Sequence, residues 1–179
     1  MEIFVDGTNF RLAQLDAGAR DLDIPRFARQ LARGYVLVKM RYYASPLDRS
    51  SRQYVGQQRF FEVLRASKAL DLILGRNEPR RQAITCELCK RVFTHKHAGE
   101  KETDVNLAVD MTIGAHTNRY DVAVLVAGDT DYVRAVEAVQ QTGRRVIWCH
   151  FPGQAHTDRL RQACDDQVVL TDKFLRACR

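Results

Sequence analysis

The chain has 179 residues, 45% hydrophobic and 28% charged, which is enough apolar material for one compact domain with a real core. No apolar stretch approaches the roughly 18 to 20 residues that span a bilayer, and the N-terminus runs straight into a strand-like "MEIFV" without a basic leader, so no membrane partner and a cytoplasmic location are expected. The net charge of +6 favours a polyanionic partner without naming one, and it is unevenly spread: residues 76–101 hold seven Lys or Arg against three Glu, +4 of the total.

In chain order, "EIFVDG" predicts a buried strand that ends in a turn at Asp6-Gly7. Asp23 ahead of Pro25 starts a helix over about 25–33, stopped by Gly34. "YVLVKMRYYAS" reads as a strand closed by Pro46, and "SRQYVGQQRFFEVLRAS" as an amphipathic helix carrying Tyr54, Phe60, Phe61 and Leu64. "ALDLILG" is a third strand. The stretch 76–100 breaks the alternation: it is basic, holds Pro79, a CxxC and an HxH, and is expected to be an insertion or long loop with local structure.

Regularity then resumes. "TDVNLAVDMTIGAHT" predicts a helix capped by Thr103 or Asp104, with Val105, Ala108, Val109, Thr112 and Ile113 on one face. "YDVAVLVAG" is a buried strand, "TDYVRAVEAVQQTG" a helix ended by Gly143, "RRVIWCHF" another strand, and the tail a helix, short strand and helix. Buried strands alternating with amphipathic helices predict a single α/β domain over 1–179, its sheet mostly parallel and covered on both faces. In such sheets ligands sit beyond the carboxyl ends of the strands, where the winding reverses, and Asp6 and the pair Asp129/Asp131 fall at strand ends of that kind.

A lone aspartate after a strand is ordinarily a turn former or a helix cap, and Asp131 reads equally well as a charge favoured by the positive end of the next helix. The conjunction points elsewhere, because "DGTN" and "GDTD" both follow apolar strands of one sheet and Asp104 opens a helix that can reach the same spot. Clustered carboxylates drive one another's pKa up until some neutralise, unless a cation sits among them. Oxygen-only ligands select a hard dication, Mg²⁺ or Mn²⁺, over zinc. The chemistry that follows is metal-assisted phosphodiester hydrolysis, with Asp6, Asp104, Asp129 and Asp131 as ligands, Asn9 and Thr8 bonding an outer water or a phosphate, and Lys101 holding the scissile phosphate. Asp110, six residues after Asp104, lies off that face. A phosphatase of the haloacid-dehalogenase type needs a second acid where this chain has Thr8.

"FVDGTNF", "EKETDVNLAVDM", "YDVAVLVAGDTDYVRAVEAVQQTGRRV" and the following "FPG...L...CD" resemble the NYN domain proteins of the PIN-like nuclease superfamily, over residues 2 to about 170. The resemblance implies a Rossmann-like three-layer α/β/α fold and a metal-dependent endoribonuclease that cleaves RNA with Mg²⁺ or Mn²⁺. The family's acidic positions carry over onto Asp6, Asp104, Asp129 and Asp131, with Asn9 as the polar member of the first motif. RNA enters through the resemblance alone, since a basic segment with Arg80, Arg81, Lys96 and Lys101 serves any nucleic acid through its phosphates. Tyr42, Tyr43 and Tyr54 suit base stacking but suit packing better. The competing reading is a non-catalytic nucleic-acid-binding module of the same fold, although a degenerate site would ordinarily have lost a carboxylate and none is missing.

Five cysteines in a chain with no export signal argue against a disulfide framework. "TCELCKRVFTHKH" offers Cys86, Cys89, His95 and His97 for a structural Zn²⁺, with the HxH gap shorter than the usual three to five residues. The alternative is a reduced basic loop that meets phosphate directly.

Overall fold

The computed structural model describes residues 1–153 and 158–179, and for 79–81 and 95–98 it describes the backbone alone. In chain order the elements are β1 (Glu2–Asp6), α1 (Gly7–Asp16), α2 (Ile24–Leu31), β2 (Lys39–Ala44), α3 (Tyr54–Ala66), β3 (Leu70–Leu74), β4 (Arg76–Thr85), β5 (Val92–Lys101), α4 (Thr103–His116), β6 (Val122–Val126), α5 (Val133–Gln140), β7 (Arg145–His150), α6 (Asp158–Ala163), β8 (Asp166–Val169) and α7 (Asp172–Arg176). Six strands form one sheet in the order β3-β2-β1-β6-β7-β8, with every neighbouring pair parallel. The continuous apolar runs of β1 and β6 follow from that position, since a central parallel strand is covered on both faces.

Side chains alternate across the sheet and build two cores. Ile3 and Val5 join Phe10, Phe27, Phe61, Leu64 and Leu175, from α1, α2, α3 and α7, on one face. Phe4 joins Leu107, Met111, Val136 and Leu160, from α4, α5 and α6, on the other. The architecture is the three-layer α/β/α sandwich that the sequence implies. By the same alternation Asp6, two residues after Phe4, faces the α4/α5 layer.

Four local expectations change. The turn expected after Asp6 is the first turn of α1, because the Asp6 carboxylate accepts from the Asn9 amide and caps a helix that begins at Gly7. Only glycine fits there, since a Cβ would lie 2.4 Å from the Tyr43 carbonyl oxygen. Residues 76–101 are not a loop: β4 and β5 form a ten-by-ten antiparallel hairpin that is a separate two-stranded sheet. On α4 the buried stripe is Thr103, Leu107, Met111, Gly114 and Ala115, while Val105, Val109 and Ile113 are 65%, 47% and 49% exposed. Both stripes have helical spacing, so periodicity alone could not choose between them, and the larger Leu and Met side chains fill the core. Neither Thr103 nor Asp104 caps this helix. The cap position is Glu102, in the left-handed region at φ 77°, with its carboxylate 2.7 Å from Arg76.

Candidate active site

The winding reverses between β1 and β6, so the crevice at their carboxyl ends is the switch point of the sheet. Val5 pairs with Val126, which sets Asp6 beside the chain that continues through Ala127 and Gly128 to Asp129. Asp129 caps a single 3-10 turn (Thr130–Tyr132), its carboxylate accepting from the Asp131 amide at 2.9 Å. That turn sends the Tyr132 side chain back into the sheet edge. Its hydroxyl lies 3.2 Å from Asp6 Oδ2 and 3.0 Å from Asp104 Oδ1, so one buried hydroxyl bridges a strand end and a helix start that are 98 residues apart in sequence.

The electrostatics match a crowded anionic site. Asp6 is 8% exposed, and its pKa is pushed up to about 6, first by burial and then by the charges of Asp104 and Glu100, against the opposing hydrogen bonds from Asn9 and Tyr132. Asp104 is also raised, by desolvation and by Glu100, Asp129 and Asp131. Asp104 is the common member: its charge acts on Asp6, and it feels in turn the charges of Glu100, Asp129 and Asp131. The Tyr132 hydroxyl is pushed far above its ordinary range by burial and by the two carboxylates, so it stays protonated and acts as their donor.

The donor set is all oxygen, which suits a hard dication. Among the described residues no three carboxylates, imidazoles or thiols are drawn to metal-ligating distance of one point. The geometry accounts for this, because Asp6 and Asp104 are each turned onto Tyr132 and Asp129 onto its own turn.

The profile of the NYN domain matches residues 1–171, nearly the whole chain. The chain belongs to the NYN domain family. NYN domains are a branch of the PIN-like nuclease superfamily, whose members are generally ribonucleases. Of solved structures, a Vibrio parahaemolyticus protein of unknown function superposes on this NYN domain with a TM-score of 0.67 at 21% identity, over 97% of this chain and 93% of that one, a likeness of fold. A possible 1-phosphofructokinase of Thermotoga maritima reaches a TM-score of 0.40 at 16% identity over 74% of this chain and 42% of its own, too low to bear on this protein. No curated protein matches.

Within the NYN domain the other expected residues divide. Asn9 supplies its backbone amide to Asp6 and also lines a cavity of about 380 Å³ with Leu12, Asp16 and Phe151. Thr8 is exposed. Lys101 pairs with Glu78 at 2.6 Å across the hairpin base and is not turned to the cluster. Asp110 accepts the Tyr43 hydroxyl at 2.9 Å and stays outside it. Tyr42 and Tyr43 are core residues, 3% and 1% exposed, and offer no face to a base. The side chains of Arg80, Arg81, Lys96, His95 and His97 lie outside the described residues, although their backbone runs along the hairpin.

That backbone corrects the four-ligand zinc reading. His95 pairs with Gln82 and His97 with Arg80, four and six positions from Cys86, which is roughly 14 and 20 Å along an antiparallel strand. A Cys and a His around one ion reach only about 10 Å between their Cα atoms. The four residues cannot share a metal within this hairpin.

Two residues of the site, and one half-buried histidine at the end of β7, escaped sequence reasoning. Glu100 stood in the quoted "EKETD" but was counted as charge of the basic segment. Tyr132 looked like a residue of the helix behind "GDTD". His150 ends β7 stacked on Trp148 at 3.8 Å, with its Nε2 buried and without a hydrogen-bond partner among the described residues, while Trp148 Nε1 donates to the Ala127 carbonyl just before Gly128. No single-sequence signal marks such a histidine.

Proposed function

We propose that this NYN domain is a metal-dependent endoribonuclease that hydrolyses RNA phosphodiester bonds at the carboxylate cluster, with Mg²⁺ or Mn²⁺. One observation carries the reading: Asp6 at the end of β1 and Asp104 at the start of α4 share the Tyr132 hydroxyl at the switch point, and both are held above the ordinary carboxylate range by burial and by neighbouring carboxylate charge. Stability alone disfavours that arrangement, and a cation resolves it. Asp6, Asp104 and Asp129 would hold the ion, with Asp131 and Glu100 contributing charge at its edge. Bound there, such an ion supplies an ionised water and neutralises charge on the phosphoryl oxygens.

The chain's own residues set the geometry. Asn9 fixes one oxygen of Asp6 and leaves the other toward Tyr132. Tyr132 holds Asp6 and Asp104 at a fixed spacing and keeps its proton across the working pH range. Burial of Asp6 on the Phe4 side screens that carboxylate from bulk water, while Asp104 and Asp131 stay exposed to it. The hairpin that delivers Glu100 and Asp104 is also the most basic part of the chain, which suits a phosphate backbone arriving along it.

The test is cleavage of single-stranded and structured RNA in Mn²⁺, Mg²⁺ or EDTA, with wild type against Asp6→Asn and Asp129→Asn. Cleavage is expected with either metal only, and a loss of several orders of magnitude in each variant. RNA left whole in every lane, with binding retained, would instead identify a non-catalytic RNA-binding module. Replacing Arg80 and Arg81 with Glu is expected to weaken RNA binding and flatten its salt dependence.

A further inference from the structure

The hairpin tip holds chemistry that the carboxylate site does not use. Beyond the last pair, Thr85 with Val92, the Cys86 amide donates to the Arg91 carbonyl and the Lys90 amide to the Cys86 carbonyl, both at 2.9 Å. Lys90 takes a left-handed φ of 56° to close this turn. The turn folds Cys89 back on Cys86, and the amides of Leu88 and Cys89 point at the Cys86 sulfur. Around the thiols the tip sets exposed apolar side chains among the exposed charges of Glu87, Lys90 and Arg91: Leu88 is 96% exposed and Val92 65%, with Ile84 and Phe93 paired across the strands and also exposed.

Two thiolates in such a turn are half of a tetrahedral zinc site. Among the described residues the other half is not found. His95 and His97 are beyond reach along the strands, and among the described residues no third ligating side chain gathers with the two cysteines. We propose that Cys86 and Cys89 bind Zn²⁺ together with the same two cysteines of a second copy, joining two hairpin tips about a two-fold axis. An isologous contact supplies four ligands from one turn used twice. Soft thiolates select zinc, whereas the all-oxygen cluster selects Mg²⁺ or Mn²⁺, so the two sites do not compete for metal. Charge also fits, because Zn²⁺ with four thiolates carries −2 and sits between two basic arms that would otherwise repel. Leu88 and Val92 become covered in the same contact. A pair of tips falls short of the roughly 1,000 Å² that a stable interface needs by itself, so the association depends on the metal.

The experiment uses the full chain, reduced, with zinc content measured alongside mass by light scattering, for wild type, Cys86→Ser, Cys89→Ser and Asp6→Asn. One zinc per two chains and a dimer are expected for wild type and Asp6→Asn. EDTA or either serine substitution should halve the mass and abolish bound zinc. Co²⁺ in place of zinc should give the absorption of a tetrahedral four-sulfur site. One zinc per chain on a monomer, no retained zinc, or a dimer indifferent to EDTA and to both serine variants would overturn the proposal. Because Asp6→Asn is expected to lose cleavage but keep the dimer, failure here is distinct from failure of the nuclease reading.

Discussion

Replacing Asp6 with Asn should stabilise the metal-free protein at neutral pH and do the reverse in acid. The native state raises the Asp6 pKa from 3.8 to about 6, so between those values the folded chain binds more protons than the unfolded one. Stability from this group is therefore highest below pH 4 and is lost as pH rises through 6, by about 3 kcal/mol in all at 1.36 kcal/mol per unit. Asparagine removes that loss. Its amide oxygen still accepts from the Asn9 amide, and the bond from Tyr132 is the one weakened, at a cost of about 1 kcal/mol. The balance at pH 7 is about 2 kcal/mol in favour of the variant, or ~4–8 °C in Tm for a chain of this length. At pH 4 only the weakened bond remains, and the variant should melt slightly below wild type. Thermal melts in EDTA from pH 4 to 8 check this crossing of the two curves. With saturating Mn²⁺ the order at pH 7 should reverse, because wild type gains about 2.7 kcal/mol at a hundredfold excess over Kd and the variant less. A variant that melts below wild type at every pH in EDTA would show that Asp6 is there to cap α1, and the argument from repulsion would fall.

Tyr132→Phe removes a hydrogen bond that favours the charged form of both Asp6 and Asp104, so the acid limb of the pH–rate profile should move to higher pH, while the loss of stability stays near 1 kcal/mol. An unmoved acid limb would take Tyr132 out of the site. Glu2 is fully buried at the opposite end of β1, with Arg41 at 3.0 Å and Arg119 at 2.8 Å, and Glu2→Gln removes the carboxylate from both, leaving Arg41 with Asp71 at 3.4 Å and Arg119 with the Asp110 carbonyl. A loss of about 3 kcal/mol and a Tm lower by ~6–12 °C are expected, with cleavage unchanged at a permissive temperature. Gly75→Ala places a Cβ 2.5 Å from the Lys101 carbonyl oxygen, where the hairpin base meets α4. The shift passes to Thr103 and Asp104, so it should lower cleavage more than RNA affinity, measured by turnover against binding on the same RNA.

The parallel sheet was legible because its strands are continuous apolar runs, and Asp6 and Asp129 were legible because strand ends are where such sheets place ligands. What periodicity could not supply was the choice between two helical stripes on α4. Leu107-Met111-Ala115 and Val105-Val109-Ile113 have the same spacing, and only the neighbouring elements decide which one packs. The hairpin was illegible for a related reason. Its strands pair only with each other, so neither face carries the alternation that burial against a sheet imposes, and a basic run with a proline reads as a loop. Tyr132 and Glu100 join the site through contacts across the chain, which spacing along it does not encode.

The helix-cap reading and the metal-ligand reading of these aspartates are two descriptions of one device. Asp6 gives one oxygen to the Asn9 amide, and Asp129 accepts from the Asp131 amide, so each carboxylate is fixed by the backbone it caps. A capped carboxylate has lost its rotamer freedom before any ligand arrives, which lowers the entropic cost of binding. The amides that hold it also stabilise its charged form, opposing the desolvation that raises Asp6. In "DGTN" and "GDTD" the first acid is fixed by backbone amides, a bond that does not depend on which side chain the donor residue carries. One cap fixes Asp6 at the end of β1 and another fixes Asp129 after β6, the two parallel strands between which the sheet reverses, and Asp104, arriving on α4 through the hairpin, is tied to Asp6 through Tyr132.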